Sequence, residues 1–419
     1  MGCSDTVPLL QAHRWKMVGL LSLSVLTNYI DRGNLSVAAP ALARELSVSP
    51  TQLGLLFSAF FWTYALGQIP AGWLADRFRV YHLYASAYLL WSVATLLTGF
   101  AHTLAAFLIF RLLLGLGESV AYPAYSQLLV RSFFEKERGL ANSLIDVGTK
   151  AGPTLGTLLG GLVVATWGWR TLFFATGVIS LLWLGPWYLW TEKHFEVPCS
   201  RRAVGPSMIE IIVCRDSLGT CLGMFCYGYV WYFLLSWLPS YLVMERHMSM
   251  RSMAFFGALP FCAGGVSALS CGWASDRLIS YGLSATRVRK GFVITGLLLC
   301  TVVLPAAIVN NIVLAMALLT TACCALGLFS SNVWAITQTL AGPTAAGKWS
   351  GVQNAAGNMG GVASPIVTGV ILLHTHSFFL AFVCVAIALL VSAGAYVFLV
   401  GDIVPIVWKR QDTPLIAAE

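Results

Sequence analysis

The stretch Gly72-Trp73-Leu74-Ala75-Asp76-Arg77 recurs as Gly272-Trp273-Ala274-Ser275-Asp276-Arg277, with four of its six residues identical. Each copy follows the second apolar block of a set of six. The blocks of the first set fall near 16–40, 52–75, 80–100, 103–129, 139–165 and 171–190. Those of the second fall near 217–243, 252–275, 290–309, 311–338, 347–373 and 377–400. A repeat at equivalent places implies two halves in parallel orientation, related by an axis along the membrane normal. Each block is about 20 residues long, the length of a membrane-spanning helix.

Composition agrees. Of the 419 residues, 58% are hydrophobic and only 10% charged, against about 25% charged in soluble domains. The reading is an all-α integral membrane protein with twelve transmembrane helices in two six-helix bundles, residues 1–190 and 217–419. The charged, proline-containing stretch 191–216 joins them as a cytoplasmic linker. The first apolar block carries Asp31 and Arg32 and lacks a small-residue cleavage site, unlike a signal peptide.

The formal charge of +8 is explained by where the basic residues fall. With both termini cytoplasmic, 18 loop Lys and Arg residues lie inside and only Arg44, Arg170, Arg246 and Arg251 outside, as the positive-inside rule requires. No basic cluster calls for nucleic acid. The 11 cysteines form no CxxC pair, have no histidines at zinc spacing and read as small apolar fillers, so no metal or cofactor is expected.

Removing the loops leaves six ionisable residues inside helices: Asp31 and Arg32 in the first, Arg111 and Glu118 in the fourth, Asp146 and Lys150 in the fifth. Each costs about 3 kcal/mol at a helix centre, so such groups pair or face a watery cavity. Arg111 and Glu118 are two turns apart and share a face. They serve either a cavity or an interhelical salt bridge. Asp146 and Lys150, four apart, either neutralise each other or contact substrate. The lysine is a partner for Asp146 or Glu118, or a ligand for an anion. The second half offers neutral groups at corresponding positions, among them Asn332, Trp334, Gln338, Gln353, Asn354 and Asn358. A site of this kind clamps a carboxylate with Arg and reads hydroxyls with amides, with Tyr64 and Trp334 as flat walls. Packing between helices explains any single amide equally well.

Several of these residues stand in longer motifs: Asn28-Tyr29-Ile30-Asp31-Arg32-Gly33-Asn34-Leu35-Ser36-Val37, Phe57-Ser58-Ala59-Phe60 with Tyr64, Gln68-Ile69-Pro70-Ala71-Gly72-Trp73, Arg111 to Glu118 with Ala121 and Pro123, Trp237-Leu238-Pro239-Ser240-Tyr241-Leu242, and Gly351-Val352-Gln353-Asn354-Ala355-Ala356-Gly357. As a set they resemble the major facilitator superfamily. Within it they resemble the anion:cation symporter family of galactonate, glucarate and hexuronate permeases and animal organic-anion carriers. The resemblance implies that Arg32 contacts the substrate carboxylate, with Tyr64 and Asn354 lining the cavity. It also implies that Asp31 and Glu118 are protonatable and that Arg111 tunes them. The chain departs from galactonate-type permeases at Thr149, where they carry glutamine, and in the following Lys150. Both are kept as candidate substrate contacts. The loop Asp76-Arg77-Phe78-Arg79 lacks the usual glycine.

The expectation is a monomeric carrier in lipid that imports a small organic anion, a sugar acid or related carboxylate, with protons. Asp76, Arg77, Asp276 and Arg277 are candidates for a cytoplasmic conformational gate, although solvated loop charges look the same. An exchanger or facilitator without proton coupling, or a transporter-like sensor, remains the alternative. The chain has no paired histidines and no nucleophile with a placed base, so it does not read as an enzyme.

Overall fold

The computed structural model describes residues 6–132, 135–190 and 206–408. Among the described residues every regular element is helical, as lipid demands, because each backbone N–H and C=O must find a partner within its own segment. The helices are α1 (Thr6–Leu46), α2 (Pro50–Arg77), α3 (Val80–Thr98), α4 (Leu104–Glu118), α5 (Ala121–Ser132), α6 (Glu135–Trp167), α7 (Trp169–Trp190), α8 (Met208–Val213), α9 (Arg215–Ser240), α10 (Met250–Ser280), α11 (Ala285–Cys300), α12 (Val303–Ile308), α13 (Ile312–Thr375) and α14 (Phe379–Phe398).

Proline accounts for most departures from the twelve apolar blocks. The fourth block is split into α4 and α5, and the ninth into α11 and α12. Pro123 and Pro305 sit just beyond these breaks, and each lacks the N–H that would close on the carbonyl four residues earlier. Beyond Pro239, α9 loosens into a wide turn over Tyr241–Glu245, in which the Arg246 N–H donates to the Tyr241 carbonyl at 3.1 Å. The tenth and eleventh blocks run through α13. They part at Gly342, whose φ of 65° and ψ of 178° need a glycine and suit the residue before Pro343. Helix α8, inside the expected linker, has no apolar block to announce it. It starts with a capping box in which Ser207 Oγ accepts from the Glu210 N–H and the Glu210 carboxylate accepts from the Ser207 N–H.

Nine helical segments among the described residues are long and apolar enough to cross a membrane. The remaining three of spanning length are α1, α2 and α6. Two of these, α1 and α6, carry the intramembrane charges Asp31, Arg32, Asp146 and Lys150, so polarity rather than shortness sets those two apart.

The chain forms two compact units. One takes in α1 to α7 together with Phe233–Cys262 and Val362–Phe378. The other takes in the remainder of α9, α10 and α13, with α11, α12 and α14. Within the first, α1 lies along α6 and α7, α2 along α4, and α3 between α4 and α7. Small residues bring α6 and α1 together: a Cβ at Gly152 would lie 2.4 Å from the Tyr29 Cβ, and one at Gly148 would lie 2.7 Å from the Leu26 nitrogen. On the outer side of the same unit, hydroxyls of α1 and α2 donate to main-chain carbonyls. Ser36 Oγ reaches the Ser236 oxygen at 2.6 Å and Ser58 Oγ the Val362 oxygen at 2.9 Å, while Phe57 and Trp237 meet edge to face at 5.2 Å. At the outer ends of α1 and α7, Glu45 accepts from Trp169 Nε1 at 2.6 Å and pairs with Arg170.

In the second unit, Gly360 on α13 sits under α9, where a Cβ would be 2.4 Å from the Tyr229 nitrogen. Tyr232 OH donates to Asn358 Oδ1 at 3.2 Å, and Lys348 Nζ donates to the Pro206 carbonyl at 2.7 Å.

Gly152→Ala is expected to lower stability by about 1–3 kcal/mol, the usual cost of overpacking. Gly156→Ala, whose new Cβ would find its nearest neighbour at 3.4 Å, serves as the mild control. Thermal melting of the two purified variants tests this, and equal melting temperatures would contradict the close approach of α1 and α6.

Candidate functional site

Consecutive residues on a helix point about 100° apart, so Asp31 and Arg32 on α1 serve different surroundings. Arg32 turns toward α2 and α4. Its Nε donates to Glu118 Oε2 at 2.8 Å, in an ion pair with both side chains buried. Three rings surround the same guanidinium, with centroids 4.8 Å (Tyr29), 4.9 Å (Phe60) and 4.5 Å (Tyr64) from its carbon. Phe60 and Tyr64, one turn apart on α2, stack at 5.2 Å. The rings attract a cation by their quadrupoles while keeping water from its faces. Removing one partner of such a desolvated pair leaves an uncompensated charge, a loss of about 3–5 kcal/mol.

Asp31 turns toward α3 and α7. Its Oδ1 accepts from Asn34 Nδ2 at 3.2 Å, and Asn34 Nδ2 also donates to Thr176 Oγ1 at 2.9 Å. The hydroxyls of Thr95 and Ser180 stand beside the carboxylate, and Glu118 and Arg111 act on it through space. Arg111 does share a helix face with Glu118, as its spacing predicts, but its hydrogen bond runs elsewhere. Its Nε donates to the Leu56 carbonyl at 3.3 Å, and its guanidinium lies 5.3 Å from the Phe60 ring. Phe60 therefore stands between two guanidinium groups.

On α6, Thr149 is buried and its hydroxyl donates to the Asp146 carbonyl oxygen at 2.8 Å, with Asp146 Oδ1 at 3.1 Å. Asp146 is exposed and Lys150 half-buried. Tyr29 and Tyr122 lie near each other, and both are within electrostatic reach of Asp146 and Arg32. Tyr122 is 37% exposed.

In the second unit Trp334 and Asn354 are half-buried. Gln353 and Asn358 are committed to helix packing: Gln353 Oε1 accepts from Thr337 Oγ1 at 2.5 Å, and Asn358 donates to the Asn354 carbonyl at 3.0 Å. Of the gate candidates, the Asp76 and Arg77 side chains lie outside the described residues. Asp276 faces Arg289 at 3.9 Å, and Arg277 Nε donates at 2.9 Å to the OH of Tyr281, in the turn just after its helix.

Sequence reasoning did not single out Tyr29 and Phe60 as walls of the site. The available signal was spacing, since Tyr29 precedes Arg32 by three residues and Phe60 precedes Tyr64 by four, which puts each pair on one helix face.

A helical membrane fold that buries a charge cluster among α1, α2 and α4 suits a membrane carrier. Residues 21–365 match the Major Facilitator Superfamily, and the chain belongs to that superfamily of membrane transporters. It is 31% identical to a D-galactonate transporter of Escherichia coli, over 93% of this chain and 96% of that protein. It is 31% identical to a probable sulfoacetate transporter of Cupriavidus necator, over 92% and 94%. Its fold is similar to the crystal structure of a bacterial homologue of the human lysosomal transporter Spinster in an inward-facing, occupied conformation. That likeness has a TM-score of 0.79 at 19% identity and covers 92% of this chain and 96% of that one.

Arg32→Ala is expected to destabilise the protein by about 3–5 kcal/mol. Adding Glu118→Gln should restore about 1–3 kcal/mol by neutralising the stranded carboxylate. Thermal melting of the single and double variants checks this. A double variant no more stable than Arg32→Ala would show that the pair is not energetically coupled.

Proposed function

We propose that this chain imports a small organic anion, a sugar acid or related carboxylate, by proton symport with alternating access. The observation that carries the reading is the buried Arg32–Glu118 pair, 2.8 Å long and ringed by aromatic side chains. An isolated guanidinium is costly in such a place, so Arg32 needs an anionic partner at every stage. Glu118 is that partner when ionised. Once Glu118 takes up a proton, its hold on Arg32 weakens and the carboxylate of a substrate takes its place, bidentate on the planar guanidinium. Both states are compensated in charge, and the mixed states are not. Coupling follows from that exclusion.

The other groups fit around this exchange. Asp31 is the second protonatable carboxylate, and Arg111, held on the Leu56 carbonyl, tunes both carboxylates from one helix face. Tyr64 forms a wall. Lys150 and Thr149 on α6, with Trp334 and Asn354 of the C-terminal half, contact the remainder of the substrate. Asp76, Arg77, Asp276 and Arg277 form the cytoplasmic gate of a monomer whose halves are residues 1–190 and 217–419, joined by 191–216. The relatives that transport D-galactonate and sulfoacetate by name support a compact anion as substrate.

Proteoliposomes test the proposal, with labelled D-galactonate, D-glucarate and sulfoacetate as probes. Acidifying the outside should drive accumulation in the wild type. Glu118→Gln should retain counterflow but lose accumulation driven by the gradient. Wild-type counterflow that ignores the gradient would make the protein an exchanger or facilitator, and binding without any flux would make it a sensor.

A further inference from the structure

Asp31 poses a problem of access. It is only 2% exposed and points away from Arg32, into the seam between α1, α3 and α7. Apart from Asn34 on its own helix, the polar or charged groups facing it are Thr95 and Tyr88 of α3, Ser180 of α7, and Glu118 and Arg111 of α4. A carboxylate so placed exchanges protons with water only through intervening groups that both donate and accept. Amides and guanidinium groups do not relay protons in this way, whereas hydroxyls do.

Hydroxyls continue from Asp31 toward the cytoplasmic side. Ser180 lies near both Asp31 and the Tyr88 hydroxyl, within the span of one bridging water. Tyr88 OH is 2.9 Å from Thr27 Oγ1, one turn below Asp31 on α1. A further turn down, Ser24 Oγ is 2.5 Å from Tyr84 OH and 3.4 Å from Tyr125 OH, and the two tyrosine oxygens are 3.1 Å apart. Ser24, Thr27 and Asp31 share one face of α1, and Tyr84 and Tyr88 one face of α3, so successive rungs are separated by a single helical turn. That is about 5–6 Å, a gap that one water molecule bridges. Tyr125 ends the series on α5. Its ring meets that of Tyr122, a residue 37% exposed, at 5.5 Å. Apolar packing alone accounts for the rings of Tyr84 and Tyr88, which sit among Trp91, Trp183 and Trp187. It does not account for their hydroxyls meeting those of Ser24 and Thr27.

The geometry points to a proton relay in which Ser180, Tyr88, Thr27, Tyr84, Ser24 and Tyr125 carry the Asp31 proton toward the cytoplasmic side. In each hop a hydroxyl gives its proton to the next oxygen and takes one from the last, so one O–H bond breaks as another forms and every hydroxyl ends neutral. The relay rests on the proton-symport reading and gives Asp31 and Glu118 separate routes: Glu118 releases its proton beside Arg32, and Asp31 releases its own through the hydroxyls.

The test uses the full chain in lipid nanodiscs, without any transported anion. The infrared carbonyl band of the protonated Asp31, assigned by its loss in Asp31→Asn, is followed in time after a pH jump. Tyr88→Phe and Tyr84→Phe keep the rings and remove the hydroxyls, and Ser24→Ala is a smaller third change. Each is expected to slow the rise and decay of the Asp31 band by about tenfold, the equivalent of one lost hydrogen-bonded partner. The midpoint pH and the Glu118 band, assigned by Glu118→Gln, should keep their wild-type behaviour. Wild-type rates in all three variants would overturn the relay while leaving symport standing. An Asp31 band that never responds to pH would overturn the relay together with the role of Asp31 in symport.

Discussion

The site depends on one desolvated ion pair. Arg32 and Glu118 come from different helices and meet at 2.8 Å with both side chains buried. Neither tolerates the loss of the other without a substitute, because a lone charge in that setting costs more than the pair contributes. That intolerance is a structural liability in a static protein. Under the proposed symport it becomes a constraint that admits only two compositions of the site, the internal pair or the guanidinium with a guest anion.

The surrounding helices hold the pair in register. Glycines in α6 let α1 approach until backbone nearly meets side chain at Tyr29, which sets the height of Asp31 and Arg32. Gly115 on α4 lies against the Phe60 carbonyl, where a Cβ would come within 2.2 Å, and this fixes Glu118 beside the aromatic wall. Phe60 separates two guanidinium groups and stacks on Tyr64, so the cations stay apart while each keeps a ring face. Polar burial is confined to where it acts. The same helices carry large apolar residues such as Leu56 and Phe57 at adjacent positions.

Much of this was legible in the sequence, for identifiable reasons. Lipid forces long apolar blocks, so the helical membrane fold was legible, and the paired Gly-Trp-x-x-Asp-Arg motifs suggested a repeat. Charges are so costly in lipid that Asp31, Arg32, Arg111 and Glu118 stood out without any alignment. Their partners did not. The shared face of Arg111 and Glu118 says nothing of which helix lies opposite, and Glu118 pairs with Arg32 while Arg111 bonds the Leu56 carbonyl. The breaks at Ser119 and Gly342 were hidden because proline and glycine are common in membrane helices. The hydroxyl series was also invisible, since Ser24, Thr27, Tyr84 and Tyr88 are individually ordinary packing residues.

Under the proposed mechanism a proton on Glu118 and an anion on Arg32 are linked through one guanidinium. The most direct measurement is the affinity of the best-binding anion as a function of pH, by calorimetry on purified wild type and Glu118→Gln. Because the ionised Glu118 competes with the anion for Arg32, wild-type affinity should strengthen as pH falls through the titration of Glu118. Glu118→Gln, permanently neutral, should bind tightly with that dependence flattened. Equal pH dependence in the two proteins would contradict the account.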